Sequence, residues 1–205
     1  MAIKKGDFVA LEFEGKIKST NDVFDKTDKQ PKTICVGAGW LLEGIDSALI
    51  DKEVWKEFEL ELVPEKAFGQ RNPDLMKLTS ISKFKDFRPV PGIQVTVDGV
   101  LATVKSVSGG RVVIDFNHHL AGKTLNYKIK IVKKVDDICE KTKAVVTILI
   151  PDAEIKTAEN VITVKTRNEM PEVLHKELKK SVVKFVTETE KMDFKFEFEK
   201  KEEKK

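Results

Sequence analysis

Val36-Gly37-Ala38-Gly39-Trp40-Leu41-Leu42-Glu43-Gly44-Ile45 is the stretch on which the reading of this chain turns. Leading into it, Thr33-Ile34-Cys35-Val36 has the apolar, β-branched character of a short strand, and Gly37-Ala38-Gly39 stops it. Leu41, Leu42, Ile45, Ala48 and Leu49 then recur at helical spacing, which predicts a short amphipathic helix. Gly44 inside that helix costs about 1 kcal/mol relative to alanine, so its place implies close approach by a neighbour. The glycines are not a phosphate loop. Gly37-Ala38-Gly39 lacks both the Lys-Ser/Thr of a P-loop and the third glycine of a dinucleotide fingerprint.

Toward the N-terminus, Asp7–Lys18 alternates as a strand with one apolar face (Val9, Leu11, Phe13), and Val23-Phe24-Asp25 begins a shorter one. Lys26–Lys32, with Pro31, reads as loop. On the other side, Val54–Val63 alternates and stops at Pro64. Pro89–Phe116 is written differently: three strands are joined by Asp98-Gly99 and Gly109-Gly110, dipeptides suited to tight hairpin turns that need positive φ. This meander reads as a small unit of its own. Leu125–Val135 then resumes the alternation of the first section. Beyond Lys141, Ala144–Ile150 and Val161–Lys165 read as strands, a helix starts near Asn168, and Val182–Val186 and Met192–Phe198 close a ββαββ unit. Phe194, Phe196 and Phe198 share one face of the last strand and call for a cover.

The chain has 205 residues, 37 Lys+Arg against 34 Asp+Glu, and a net charge of +3; interleaved charge of this size does not mark a nucleic-acid binder. No apolar run approaches the ~18 residues of a membrane span, and the lysines near Met1 are not followed by a secretory apolar stretch. Cys35 and Cys139 do not make a disulfide framework and suit a reducing compartment, so a cytoplasmic protein is expected. Twelve phenylalanines against one tyrosine is the compositional oddity. Familiar catalytic kits are missing. Cys35 reads as a packing residue. The neighbours His118 and His119 would point to opposite faces of an extended chain, so no metal and no cofactor are expected. Asp25, taken alone, reads as a turn-forming aspartate.

Taken together, Leu11-Glu12-Phe13-Glu14-Gly15, Val23-Phe24-Asp25, Val36–Ile45, Ala67-Phe68-Gly69 and Leu125-Asn126-Tyr127 resemble, in order and spacing, the FKBP-type peptidyl-prolyl isomerases. The long gap between Ala67-Phe68-Gly69 and Asn117–Gly122 is similar to the SlyD-like branch, in which an insert-in-flap domain replaces the flap loop and binds unfolded chains. The stretch after residue 138 resembles the extension of long archaeal-type members. The resemblance implies an α+β fold, an antiparallel sheet wrapped on a short helix. It divides the chain into a split isomerase domain (1–75 and 116–137), an inserted β domain (76–115) and a C-terminal ββαββ domain (138–205).

Carried over by residue, the resemblance implies a prolyl pocket lined by Phe13, Phe24, Leu41, Leu42, Ile45, Phe68 and Tyr127, with Asp25 at its mouth. It also implies that the Leu42 N–H holds a substrate carbonyl. Ile45 stands where many members have tryptophan, Phe68 where a tyrosine hydroxyl is usual, and another pocket aromatic falls near Lys32. In the insertion, Phe84, Phe87, Val90, Ile93, Val95 and Leu101 are implied as a groove for extended clients. The expected partners are unfolded or nascent polypeptides, together with a second copy through the Phe194/Phe196/Phe198 face; neither nucleic acid nor membrane is expected. Two rivals stand beside an isomerase-chaperone: a holdase with a drifted pocket, favoured by Lys32 and Phe68, and a ribosome- or nucleic-acid-docking protein using its lysine-rich surface.

Overall fold

The computed structural model describes residues 2–28, 30–84 and 87–198. In chain order the strands are β1 (Phe8–Ile17), β2 (Val23–Lys26), β3 (Lys32–Cys35), β4 (Glu57–Leu62), β5 (Met76–Ser80), β6 (Gln94–Val97), β7 (Val100–Ser108), β8 (Arg111–Asp115), β9 (Leu125–Val135), β10 (Glu154–Ala158), β11 (Val161–Thr166) and β12 (Asp193–Phe198). The helices are α1 (Glu43–Leu49), α2 (Ile138–Leu149) and α3 (Glu172–Phe185). These elements fall into two compact units, one of residues 2–15, 23–60 and 127–198 and one of residues 16–22 and 61–126. The fold is sheet-dominated α+β.

The first unit carries a sheet in the order β2-β1-β9-β4, with β3 paired antiparallel to the start of β1, Phe8 opposite Cys35 and Leu11 opposite Lys32. Phe8, Val9, Ala10 and Leu11 are all buried, so the single apolar face expected for this strand is two apolar faces at its start. The reason lies far along the chain. Phe8, Ala10, Cys35 and Val135 belong to one apolar cluster with Val145 and Val146 of α2, Ile162 and Val164 of β11, and Leu178 and Val182 of α3.

That C-terminal layer corrects the expected ββαββ order, because it runs α2-β10-β11-α3-β12. Ala144–Ile150 is helical instead of extended. Its β-branched Val145-Val146-Thr147-Ile148 carries strand propensity, but Asp137 caps the helix, accepting the Glu140 N–H at 2.7 Å, and Ala144, Val145 and Val146 bury one face. Val182–Val186 likewise continues α3 instead of forming a strand, since Leu178 and Val182, one turn apart, both enter the core. This helix begins after Pro171, not at Asn168, because a residue preceding proline disfavours the helical region. β11 pairs antiparallel with β10 and parallel with β12, α3 forming the crossover. Register puts Phe194, Phe196 and Phe198 beside the inward-facing Ile162, Val164 and Thr166. The first two are covered by α3: His175 stacks on Phe196 at 4.0 Å, and Lys179 Nζ lies 5.4 Å from the Phe194 ring. The expected self-association face is mostly an internal one.

The second unit is built on a four-stranded sheet, β5-β8-β7-β6, one strand more than the expected meander. β5 pairs antiparallel with β8, Met76 opposite Asp115 and Ser80 opposite Arg111, and its exposed, mixed sequence carries little periodic signal. The turns are as expected, with Asp98 at φ +51° and Gly99 at +79°, and Gly109 at +56° and Gly110 at +75°. Val95, Ala102, Val104, Val112 and Ile114 form the core, with Phe84 and Ile93 packed against it. Val95 is therefore a core residue and not part of a client-binding surface.

The chain entering this sheet and the chain leaving it are tied at Asp115. Its carboxylate is buried, with Oδ1 accepting the Asn117 backbone N–H (2.9 Å) and side-chain amide (2.7 Å), and Oδ2 paired with Arg71. Lys105 lies 3.7 Å from the same oxygen. Asn117 in turn accepts the Asn72 N–H at 2.8 Å. Arg71 and Lys105 reach solvent, so Asp115→Ala leaves them hydrated, and the cost falls on the unpaired Asn117 donors and the lost ion pair. A loss of about 1–3 kcal/mol is expected. Hydrogen exchange reads it as faster exchange in β5 and β8 than in β9; unchanged β5 protection would show that the tie contributes nothing.

Candidate functional site

In the first unit three aromatic rings meet. Tyr127, from the start of β9, lies edge-on to Phe24 of β2 (centroids 5.7 Å apart, 89° between planes) and tilted against Phe13 of β1 (6.3 Å, 57°). Gly15 makes this approach possible. A Cβ at that position would stand 2.8 Å from Tyr127 Cε1 and 3.0 Å from Phe24 Cζ. Thr27 holds the end of β2 in place, since its hydroxyl accepts the Phe13 N–H (3.0 Å) and its own N–H donates to the Phe13 carbonyl (2.9 Å). Asp25, two residues earlier, remains exposed. Burial raises the Tyr127 hydroxyl above its ordinary range, and the nearby Asp25 carboxylate raises it further. Phe13 and Asp25 line a cleft of about 810 Å³ whose far side is Gln30, Pro31 and Lys32.

The decisive stretch folds as its spacing suggested. Gly37 and Gly39 adopt φ of +75° and +73°, and both donate their N–H groups to the buried Asp46 carboxylate, at 2.9 and 3.0 Å. Asp46 thus fixes the turn from within α1. Leu42 is the N-cap residue and its carbonyl accepts the Ile45 and Asp46 N–H groups. Leu41 and Leu42 are half-buried and Ile45 is buried. The buried Cys35 thiol, beneath the same turn, is pushed up to about 11 by burial and by Asp46 and Asp7, as befits a packing residue.

A "Short-type peptidyl-prolyl cis-trans isomerase" of Methanocaldococcus jannaschii is 34% identical over 144 residues, 63% of this chain and 92% of that protein. The chain belongs to the FKBP-type peptidyl-prolyl cis-trans isomerases. A "Probable FKBP-type 16 kDa peptidyl-prolyl cis-trans isomerase" of Pseudomonas fluorescens is 35% identical over 129 residues, 60% of this chain and 86% of that protein. SlyD of Helicobacter pylori is 28% identical over 127 residues, 59% of this chain and 69% of that protein. Residues 77–120 match the family model described as "FKBP26, IF domain", the insert-in-flap domain.

Within this FKBP-type chain, Phe13, Phe24, Asp25, Leu41, Leu42, Ile45 and Tyr127 lie in the first unit. Phe68 lies in the second, its ring stacked on His118 at 4.3 Å and 10°. Burial, and then the neighbouring His119, lower the His118 pKa below the ordinary histidine value. Among the described residues no three His, Cys, Asp or Glu converge as metal ligands, and no helix is long and apolar enough to cross a membrane. Three participants escaped the residue-type reading. Gly15 and Thr27 act through strand pairing, and Asp46 looks like an ordinary helix residue until the turn folds back on it. The short spacing from Gly37 and Gly39 to Asp46 was the available signal for the last.

Proposed function

We propose that this chain catalyses cis-trans isomerisation of X-Pro bonds in unfolded or nascent polypeptides and also holds such clients through its insertion. The observation that carries the catalytic half is the convergence of Phe13, Phe24 and Tyr127 beside Asp25. Rotation about an X-Pro amide faces a barrier of ~18–20 kcal/mol because resonance gives the C–N bond double-bond character. Resonance separates charge and is favoured by water, so rings that strip water from the amide destabilise its planar form relative to the twisted one. A reduction of ~4 kcal/mol is roughly a thousandfold in rate. In this reading Phe13, Phe24, Ile45 and Tyr127 pack the proline and the twisted amide. The Leu42 N–H holds a neighbouring carbonyl, and Asp25 orients the rotating one. No proton is transferred, which suits a site whose tyrosine hydroxyl stays protonated.

Support for the holding half comes from exposed apolar side chains of the insertion. Phe87, Val90 and Leu101 are 46%, 49% and 60% exposed, and register places Met76, Leu78 and Val113 on the same outer face as Leu101. Exposed apolar side chains next to the open edges of β5 and β6 suit an extended client that adds a strand. Phe84 and Ile93 contribute mainly inward. A homodimer through the C-terminal layer is not part of this proposal, because α3 already covers Phe194 and Phe196. Unpaired Cys35 and Cys139 fit a reducing, cytoplasmic setting.

The test is a proline-limited refolding assay beside a peptide assay. Phe24→Ala and Asp25→Ala are each expected to lower kcat/KM by about tenfold, a loss of roughly 1.4 kcal/mol. Unchanged rates in both assays would replace the catalytic reading with that of a holdase.

A further inference from the structure

A second cleft of about 800 Å³ lies in the first unit, where α2 faces the strand-and-turn segment of the decisive stretch. Its floor is Ile34, Trp40 and Ala144. Glu140, Lys143, Thr147 and Ile148 wall it on successive turns of α2, and Gln30, Pro31 and Lys32 form the opposite wall. Those last three residues also line the cleft beside Phe13 and Asp25, so the two depressions share a wall. We infer that this cleft binds the stretch of client polypeptide that flanks the isomerised proline, taking an apolar side chain on Trp40 and an acidic one beside Lys32 and Lys143; the inference rests on the isomerase reading above.

The chemistry of the lining selects that occupant. The volume lies within the roughly 300–1,000 Å³ of well-formed ligand sites. Glu140, the acidic residue of the wall, is already neutralised by Lys133 (2.7 Å) and hydrogen-bonded by the Thr33 hydroxyl (3.1 Å). Among the described residues neither Lys32 nor Lys143 has an ion-pair partner, so the rim presents positive charge over an apolar floor. The Thr147 hydroxyl donates back to the Lys143 carbonyl at 2.8 Å and is taken up by the helix itself. Ile148, which lines the cleft, and Leu149 after it are 49% and 57% exposed at a helix end with no basic residue in its last turn. Solvent alone gives no reason for that apolar end, whereas an extended chain with apolar side chains does. Flanking contacts of this kind help turnover when they hold the reacting bond in place.

Two peptides sharing one X-Pro bond test this, a short capped one and a longer one carrying phenylalanine and aspartate in its flank. The longer is expected to show about tenfold higher kcat/KM, from binding energy remote from the reacting bond. Thr147→Trp, which fills the cleft from a half-exposed position, and Lys143→Glu, which reverses its charge, should abolish that advantage and leave the short peptide's rate unchanged. An independent readout uses Trp55→Phe, which leaves Trp40 as the sole indole. Its emission should shift with the longer peptide and not with the short one. Equal rates on the two peptides, variants that slow both alike, or a silent Trp40 would overturn the inference. So would a dimer that Thr147→Trp makes monomeric, because the occupant would then be a second copy. If the unaltered protein turns over neither peptide, the isomerase reading fails, and the Trp40 shift still reports on the groove.

Discussion

Gly15→Ala is expected to cost about thirtyfold in kcat/KM on a proline peptide, equivalent to roughly 2 kcal/mol of barrier. The added methyl would sit 2.8 and 2.9 Å from two ring atoms of Tyr127 and 3.0 Å from Phe24, closer than carbon atoms pack. The strand cannot retreat, because Gly15 is buried in β1 and Phe13, two residues away, is held from both sides of its peptide group by Thr27. The rings must therefore move. Tyr127 is only 3% exposed and cannot swing into solvent without opening the packing around it. Overpacking of this kind costs about 1–3 kcal/mol in stability, so thermal unfolding run beside the kinetics separates the two effects. The expected pattern is a folded, modestly destabilised protein whose isomerase rate has collapsed. A folded variant with the parent's kcat/KM would show that the Phe24–Tyr127 geometry is not what accelerates rotation.

Much of this site could be read from sequence because its signals are local. The helical spacing after Trp40, the Asp98-Gly99 and Gly109-Gly110 turns and the alternation of Leu125–Val135 each depend on neighbours within one element. What escaped depends on distant parts of the chain. In α2, the β-branched run Val145–Ile148 favours a strand locally, and the outcome follows from the Asp137 cap and from burial against Phe8 and Val164. β5 has too short and polar a pattern to declare itself, and exists because β8 pairs with it. Among site residues, aromatic types could be assigned to a pocket from their motifs. The need for glycine at position 15 became visible only once Phe24 and Tyr127 converged on it. The three-phenylalanine row was read as needing a cover, and α3 supplies one for Phe194 and Phe196, while Phe198 stays 41% exposed.

Trp40 shows how the C-terminal layer bears on the site. Its indole packs edge-on against Phe8 of β1 (6.0 Å, 72°) and against Phe185 at the end of α3 (5.1 Å, 70°). It is therefore the aromatic link between the isomerase sheet and the last helix. Trp40→Ala removes both ring pairs and leaves a cavity. The expected loss is about 3–4 kcal/mol, toward the low end of the range for buried tryptophan because the ring is partly exposed. At roughly 2–4 °C per kcal/mol for a chain of this size, the melting temperature should fall by about 6–16 °C. Because Phe8, Cys35, Val146, Ile162 and Val182 belong to one apolar cluster, the sheet and the C-terminal layer should lose stability together. Hydrogen exchange should show α3 and the start of β1 deprotected in step, and Trp40→Phe should recover part of the loss. If α3 alone were deprotected while β1 kept its protection and the melting temperature held, the layer would be an appendage. Its contribution to the turn ahead of Leu41 and Leu42 would then be nil.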